Sequence, residues 1–206
     1  MLHEQALQGT RDAVPGIDPD FQKLLDAMKQ AAGALQQAGV PFLLGGGLAV
    51  WARGGPQTEH DVDFYVKEED ADRGLSALVD AGFRPEHPPE DWLLKAYTDD
   101  GTLVDLIYEP ASGAIGDEHF ARAEDLEVMA LRLQVASLED VLAQKLLALK
   151  EQEPDFQHVL EIGRAVREQI DWDIVREMTG DHPFAKAYFT LVEELGVAPQ
   201  EVDDKS

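Results

Sequence analysis

Apolar residues along this chain recur with two different periods, one typical of helices and one of strands. In six segments they lie three or four residues apart, the spacing that places them on one face of an α-helix. Gly39 and Gly82 stand where the first two of these helices are expected to end. The predicted helices cover residues 20–38, 68–82, 137–149, 154–168, 172–178 and 183–195.

Shorter segments alternate apolar and polar residues or are apolar throughout, and these predict strands. The predicted strands lie at residues 42–44, 61–66, 92–98 and 102–108, with 126–135 as one further extended piece. A glycine turn and a short helix that begins at Leu48 connect the first two strands. Asp99-Asp100-Gly101 is a hairpin-turn signal between the third and the fourth.

These elements predict an α+β fold, in which a small mixed sheet is flanked by helices and followed by a helical region. Residues 1–18 mix Gly, Pro and polar residues without a period, and we expect them to form a loosely held arm. The mixed core is then predicted at residues 19–135 and the C-terminal helical region at residues 136–206. A chain of 206 residues fits one domain with a modest appendage.

The second predicted strand carries two carboxylates two residues apart. Because side chains alternate along a strand, Asp61 and Asp63 point to the same face. The apolar side chains of this strand point to the other face: Val62, Phe64 and Val66. Two like charges side by side repel each other unless a cation lies between them. The pair therefore predicts a divalent ion, and Mg²⁺ suits it because Mg²⁺ binds one or two carboxylates together with water and phosphate.

Three glycines, Gly45 to Gly47, separate the first predicted strand from the short helix. Without side chains they let a ligand approach the backbone closely, with free N–H groups turned toward an anion. One interpretation is therefore a phosphate-binding turn. The other is a tight turn between strand and helix that binds nothing.

The pair Gly46-Gly47, a gap of thirteen residues and then Asp61-Val62-Asp63 resembles the signature of the nucleotidyltransferase superfamily. This is the polymerase-β-like fold in its minimal, antibiotic-modifying and toxin forms. The resemblance implies a third carboxylate on a neighbouring strand, for which Asp105 is the candidate. It also implies that the three acids hold two Mg²⁺ ions, with Mn²⁺ as the alternative, and that the glycine pair binds nucleotide phosphates.

Two basic residues are candidates for nucleotide binding by the same resemblance. Lys145 lies on an otherwise apolar helix face, and its alternative is to extend its ammonium group into solvent. Arg53 would replace an arginine that many relatives carry before the acids, and its alternative is an exposed position at a helix end. Relatives often have a hydroxyl residue just after the glycine pair, where this chain has Leu48. His60 is a further catalytic candidate.

The charge and the residue composition limit which partners and which cellular compartment are expected. Lys and Arg number 17 against 41 Asp and Glu, and the formal net charge of -24 disfavours long nucleic acid as a partner. No segment approaches the ~18 apolar residues of a membrane span, and no basic segment followed by an apolar run opens the chain. A cytoplasmic protein that binds no membrane is expected. Because cysteine is absent, disulfides and thiolate metal sites are excluded.

The resemblance implies Mg²⁺-dependent transfer of a nucleoside monophosphate from a nucleoside triphosphate, such as ATP, to an acceptor hydroxyl with release of pyrophosphate. Asp61, Asp63 and Asp105 would be the catalytic acids. The acidity of the chain favours a small-molecule or protein acceptor. Some toxins of toxin–antitoxin pairs in the superfamily use an RNA 3′ end, and that acceptor stays open. The alternative function is a nucleotide-binding or partner-binding module of the same fold without turnover.

Overall fold

The computed structural model describes residues 18–58, 61–152 and 154–200. The predicted arm lies outside the described residues except for Asp18, and His60 also lies outside them. Eight α-helices and seven strands occur in the described part of the chain. The helices are α1 (Pro19–Gln37), α2 (Gly46–Trp51), α3 (Glu68–Asp80), α4 (Asp117–Arg122), α5 (Leu138–Leu147), α6 (Phe156–Val166), α7 (Trp172–Thr179) and α8 (Pro183–Glu194). The strands are β1 (Leu43–Leu44), β2 (Asp61–Tyr65), β3 (Arg84–Glu86), β4 (Leu93–Tyr97), β5 (Leu103–Ile107), β6 (Glu124–Val128) and β7 (Leu131–Val135).

These strands form one mixed sheet with the order β3-β4-β5-β2-β1-β7-β6. β2 runs parallel to β5 and β1 runs parallel to β7, whereas the other neighbouring strands are antiparallel. The predicted α+β class is confirmed, and the hairpin expected at residues 99–101 joins β4 to β5. This hairpin brings β5 back beside β2, the strand that carries the first two acids.

The extended piece predicted at residues 126–135 is wrong as a single strand, because it is a hairpin of β6 and β7. The chain reverses at Met129 and Ala130, whose φ angles are 51° and 64°. A two-residue hairpin turn of type I′ requires positive φ at both central positions, and Asn or Gly usually marks it in a sequence. Met129-Ala130 carries no such signal, so the apolar residues on both sides of the turn predict one continuous strand.

The pattern of apolar residues also missed β3 and α4 and placed the start of α2 too late. All three residues of β3 are exposed, and α4 buries only His119, so neither has an apolar period to detect. α2 begins at Gly46 rather than at Leu48. The glycine turn is therefore shorter than expected, and two of its three glycines belong to the first turn of the helix.

The apolar core lies on the face of β2 and β5 that the alternation predicted. Val62, Phe64, Val104 and Leu106 are all fully buried. α1 and α3 pack against this part of the sheet, and Phe42 makes an edge-to-face contact with Phe64 at 5.1 Å between ring centroids. The acidic side chains of the same strands must consequently lie on the opposite face of the sheet.

After Val135 every described element is helical, beginning with α5. Ser137 caps this helix, since its hydroxyl accepts a hydrogen bond from the Asp140 N–H, as the capping spacing predicted. α5 packs against α2 and also contacts α6, α7 and α8, so it connects the sheet to the C-terminal helices. Of the helices in the described part of the chain, none combines the length and apolarity that crossing a membrane requires.

Candidate active site

Three carboxylates from two strands meet on the face of the sheet opposite the apolar core. Asp63 on β2 pairs directly with Asp105 on β5, and Asp61 lies two residues earlier on β2. One oxygen atom of each carboxylate lies within 4.8 Å of those of the other two. The structure therefore brings together the two acids of the Asp-x-Asp motif and the third acid that the resemblance implied.

Burial and mutual repulsion oppose the ionisation of this cluster. Burial, and then the charge of Asp61, raise the pKa of Asp63 to about 7, although attraction to Lys145 partly opposes the rise. Burial also raises the pKa of Asp105 to about 6, against the attraction of Lys95. A cation among the three carboxylates would remove this penalty, because it favours their charged forms.

Lys95 is a cation at the site that the sequence interpretation missed. It lies opposite Asp105 in the pairing of β4 with β5, with its Nζ 3.7 Å from Oδ1 of Asp105. That separation is too long for a hydrogen bond, and among the described residues this buried Oδ1 has no hydrogen-bond partner. The hairpin signal at residues 99–101 could have revealed Lys95, because counting back from the turn places residue 95 opposite residue 105.

Close packing explains why glycine occupies the turn before α2. Gly46 has a φ of 52°, and a Cβ atom at this position would lie 1.6 Å from Oδ2 of Asp63. A Cβ atom on Gly47 would lie 2.5 Å from the Cβ of Thr58. Both positions therefore require glycine whether or not a phosphate binds there.

Tyr65 lies beside this turn and was not among the predicted site residues. Its side chain is 2% exposed, and its hydroxyl accepts a hydrogen bond of 3.1 Å from the Gly46 N–H. Burial, and then the charge of Asp63, raise the pKa of Tyr65 above its ordinary value, so the hydroxyl keeps its proton. The expectation of a free N–H at Gly46 is wrong. Alternation along β2 carried a signal for Tyr65, which shares a face with Asp61 and Asp63.

A cavity of about 480 Å³ opens beside the acids, between the sheet and α5. Its polar side is lined by Gly46, Asp63, Tyr65, Glu109, Gln144, Lys145 and Lys150. The apolar lining consists of Trp92, Ile107, Pro110, Ala111, Leu147 and Ala148. Trp92 is 41% exposed, so part of a large aromatic ring is available to a ligand. The volume and the mixture of polar and apolar groups suit a small-molecule ligand.

A buried ion pair holds α5 against α4 near this cavity. Arg122 donates two hydrogen bonds to the carboxylate of Asp140, of 2.6 and 3.1 Å, and the Ser137 hydroxyl donates a third of 2.8 Å. Asp140 lies in the first turn of α5, one helical turn before Gln144 and Lys145, so the pair fixes the helix that carries these two cavity residues. The sequence interpretation recognised the cap but not the arginine, because α4 was not predicted.

Arg53, the other predicted nucleotide contact, is engaged away from the cavity. Its side chain is 5% exposed, and its guanidinium donates to the carbonyls of Ala49 and Val135 at 3.0 and 3.4 Å. Glu124 lies 3.6 Å from the same guanidinium. Arg53 therefore joins α2 to the β6–β7 hairpin. The alternative of an exposed arginine is wrong, and the nucleotide-binding role finds no support in these contacts.

Comparison with known proteins agrees with this architecture. The antibiotic-resistance factor ANT(2″)-Ia in solution superposes with a TM-score of 0.60 at 16% identity, over 86% of this chain and 98% of that chain. The crystal structure of ANT(2″)-Ia with adenylyl-2″-tobramycin superposes with a TM-score of 0.60 at 15% identity, over 81% of this chain and 99% of that chain. At these identities the likeness establishes the fold.

No curated protein matches the chain in sequence. A protein family does match, over residues 24–187, and its description is nucleotidyl transferase of unknown function (DUF2204). The match spans β1 to β7 and the helices up to the first turn of α8, and so includes all three acids and the cavity. This chain therefore belongs to that family of nucleotidyl transferases.

Proposed function

We propose that this protein transfers a nucleoside monophosphate from a nucleoside triphosphate to the hydroxyl group of a small acceptor and releases pyrophosphate. The observation that carries the proposal is the meeting of Asp61, Asp63 and Asp105 beside a cavity that Lys145 also lines. Membership of a nucleotidyl transferase family supports the same reaction class.

The three acids fit a divalent metal centre. They supply oxygen ligands only, which suits Mg²⁺, and Mn²⁺ is the alternative. The buried Oδ1 of Asp105 has no hydrogen-bond partner among the described residues, and a metal would satisfy it. Such an ion, held by these acids, would polarise the phosphate that is attacked and would favour the ionised form of the acceptor hydroxyl. Asp61 and Asp63 are the proposed ligands, with Asp105 binding a second ion or accepting the acceptor's proton.

The remaining residues of the cavity would position the nucleotide. Lys145 would supply a positive charge for the outer phosphates, since it lines the same cavity as Asp63. Gly46 and Gly47 allow the backbone to approach a phosphate closely. Holding the reactants in line is expected to provide a large part of the rate, as is usual for phosphoryl and nucleotidyl transfer.

A small, cationic acceptor is the most consistent with the charge of the chain. The net charge of -24 attracts cations and repels polyanions, so an RNA 3′ end is the less favoured acceptor. ANT(2″)-Ia, which shares the fold, was solved with adenylyl-2″-tobramycin, a nucleotide joined to a small antibiotic. We therefore propose small, cationic acceptors.

Pyrophosphate release tests the reaction directly. The protein is incubated with ATP, GTP, CTP or UTP and Mg²⁺, with and without tobramycin or the small-molecule fraction of a cell extract. We expect release with at least one nucleotide, dependent on an acceptor and abolished by a chelator. A second candidate, a binding module without turnover, is favoured by the engagement of Arg53 away from the cavity. Nucleotide binding without any pyrophosphate release would support that module and contradict the transferase.

Replacing Lys145 tests its assignment to the outer phosphates. Lys145→Met keeps the length and apolar contacts of the side chain, so the free energy of unfolding should change by less than about 1 kcal/mol. Loss of a charged hydrogen bond should weaken triphosphate binding by roughly 1.5–3 kcal/mol, and monophosphate binding by less. Calorimetric titration measures both affinities.

The matched control for this variant is Lys186→Met on α8. Lys186 is an exposed lysine that pairs with Asp181 and does not line the cavity. Its removal should leave both nucleotide affinities unchanged. Equal affinities in Lys145→Met and the parent would mean that Lys145 only extends its ammonium group into solvent.

A further inference from the structure

The Tyr65 hydroxyl has an unused hydrogen at the edge of the cavity. It accepts the Gly46 N–H at 3.1 Å, which occupies one of its lone pairs. A phenolic hydroxyl is also a donor, and no residue that the structure describes accepts a hydrogen bond from Tyr65. The ring lies against Gly45, where a Cβ atom would come within 2.4 Å of it, so the ring has little room to turn the hydroxyl elsewhere.

Gln144, which lines the same cavity, carries a second unused donor. Its side chain is 8% exposed, and its Nε2 is buried with no hydrogen-bond partner within the described ranges. A buried amide without partners destabilises a fold, and apolar side chains of similar length avoid that cost. Gln144 also adjoins Lys145 on α5, so both residues enter the cavity from one helix.

The two donors match a ligand made of acceptors. Tyr65 and Gln144 line the cavity together with Asp63 and Lys145. Ionised phosphate oxygens accept hydrogen bonds and donate none. A triphosphate presents several of these oxygens within a few ångströms of one another.

From this juxtaposition we propose that the Tyr65 hydroxyl and the Gln144 amide bind phosphate oxygens of the nucleotide. The proposal rests on the proposed function, because it concerns the same cavity. It gives the phosphates a hydroxyl from β2, although position 48, next to the glycine pair, holds leucine. It also explains why the Gly46 N–H is committed to Tyr65: this hydrogen bond holds the hydroxyl in place at the cavity edge.

The test measures binding of magnesium tripolyphosphate, which has no base or ribose, by calorimetry. Tyr65→Phe keeps the ring against Gly45 and removes only the hydroxyl. We expect affinity to fall about tenfold or more, the usual effect of losing a hydrogen bond to a charged group. Tyr188→Phe is the matched control, because Tyr188 is also fully buried and its hydroxyl donates to the Val159 carbonyl at 3.0 Å, away from the cavity. Both variants should lose some stability, but only Tyr65→Phe should lose affinity.

Gln144→Met is a second test, because it is expected to maintain or raise the stability of the ligand-free protein while lowering its affinity for phosphate. Methionine has nearly the same length and no unsatisfied amide, so the ligand-free protein should be as stable as the parent or more stable in denaturant unfolding. Affinity for magnesium tripolyphosphate should nevertheless fall about tenfold. If Gln144 were purely structural, the Gln144→Met protein would instead be less stable than the parent and would bind magnesium tripolyphosphate equally well.

The outcomes separate this inference from the proposed function. If the parent, Tyr65→Phe and Gln144→Met all bind tripolyphosphate equally well, the two donors are not phosphate ligands, and the transferase proposal stands. If Tyr65→Phe binds more tightly, the hydroxyl competes with the phosphate for the Gly46 N–H, which also overturns the inference. If the parent binds neither tripolyphosphate nor any nucleoside triphosphate, both proposals fall.

Discussion

Replacing Asp61 and Asp63 together by asparagine is expected to abolish nucleotide transfer while making the metal-free protein more stable. Metal ions at such sites contribute several kcal/mol to the transition state, which corresponds to a loss of roughly three orders of magnitude in rate or more. The side chains keep their size, so the close approach of residue 63 to Gly46 is preserved. Pyrophosphate release and calorimetric titration with Mg²⁺ and nucleotide measure these losses.

The gain in stability follows from the sign of the pKa shifts. Folding raises the pKa of Asp63 to about 7, mainly by burial and by the charge of Asp61. A carboxyl with a raised pKa destabilises the folded state above that pKa and has no effect below its unfolded value of about 4. Each pKa unit corresponds to about 1.4 kcal/mol, so the variant should gain at least about 1 kcal/mol at pH 8. The gain should disappear as the pH falls toward 4.

Asp80→Asn is the matched control, because Asp80 is an exposed acid at the end of α3. It should change the free energy of unfolding by less than about 0.5 kcal/mol and leave transfer intact. Denaturant unfolding of the metal-free proteins at pH 8 and pH 4 gives the comparison. Unchanged nucleotide affinity and Mg²⁺ response in the double variant would contradict the assignment of the metal to these acids.

Phe64→Ala is expected to cost about 3–5 kcal/mol of stability, the usual range for truncating a fully buried phenylalanine. The ring is 0% exposed, and it packs edge-to-face against Phe42 at 5.1 Å. Phe64 also lies beside Leu106 in the pairing of β2 with β5. The alanine would leave a cavity at the centre of the layer between the sheet and the helices α1 and α3. Equilibrium unfolding in urea or guanidinium measures the loss.

The register of β2 makes this stability test informative about the active site. Side chains alternate along the strand, so Phe64 can be buried only if Asp63 faces the other way. Val79→Ala serves as the control, because Val79 is 41% exposed and should cost less than about 1 kcal/mol. A similarly small loss for Phe64→Ala would contradict the assigned faces and with them the meeting of the three acids.

Features with a local physical cause could be predicted from the sequence. The faces of β2 and β5 follow from two-residue alternation, and α1, α3 and the C-terminal helices follow from apolar spacings of three and four residues. The β4–β5 hairpin follows from Asp99-Asp100-Gly101, where Gly101 adopts a φ of 89°. Asp105 was placed beside Asp63 by resemblance rather than by pattern. The β6–β7 hairpin was not predicted, because Met129 and Ala130 adopt positive φ although neither is a residue that usually marks a hairpin turn.

Which polar groups meet one another depends on distances that no local pattern contains. Arg53 and Lys145 are both basic residues near the end of a helix, yet Arg53 is held by Val135 and Glu124 while Lys145 lines the cavity. Only the packing of α2 and α5 on the sheet separates these two outcomes. In the same way, the Gly46 N–H meets Tyr65, nineteen residues later in the chain, because β1 and β2 are neighbours. Such contacts arise from strand pairing and helix docking, and so they could be identified only in the folded molecule.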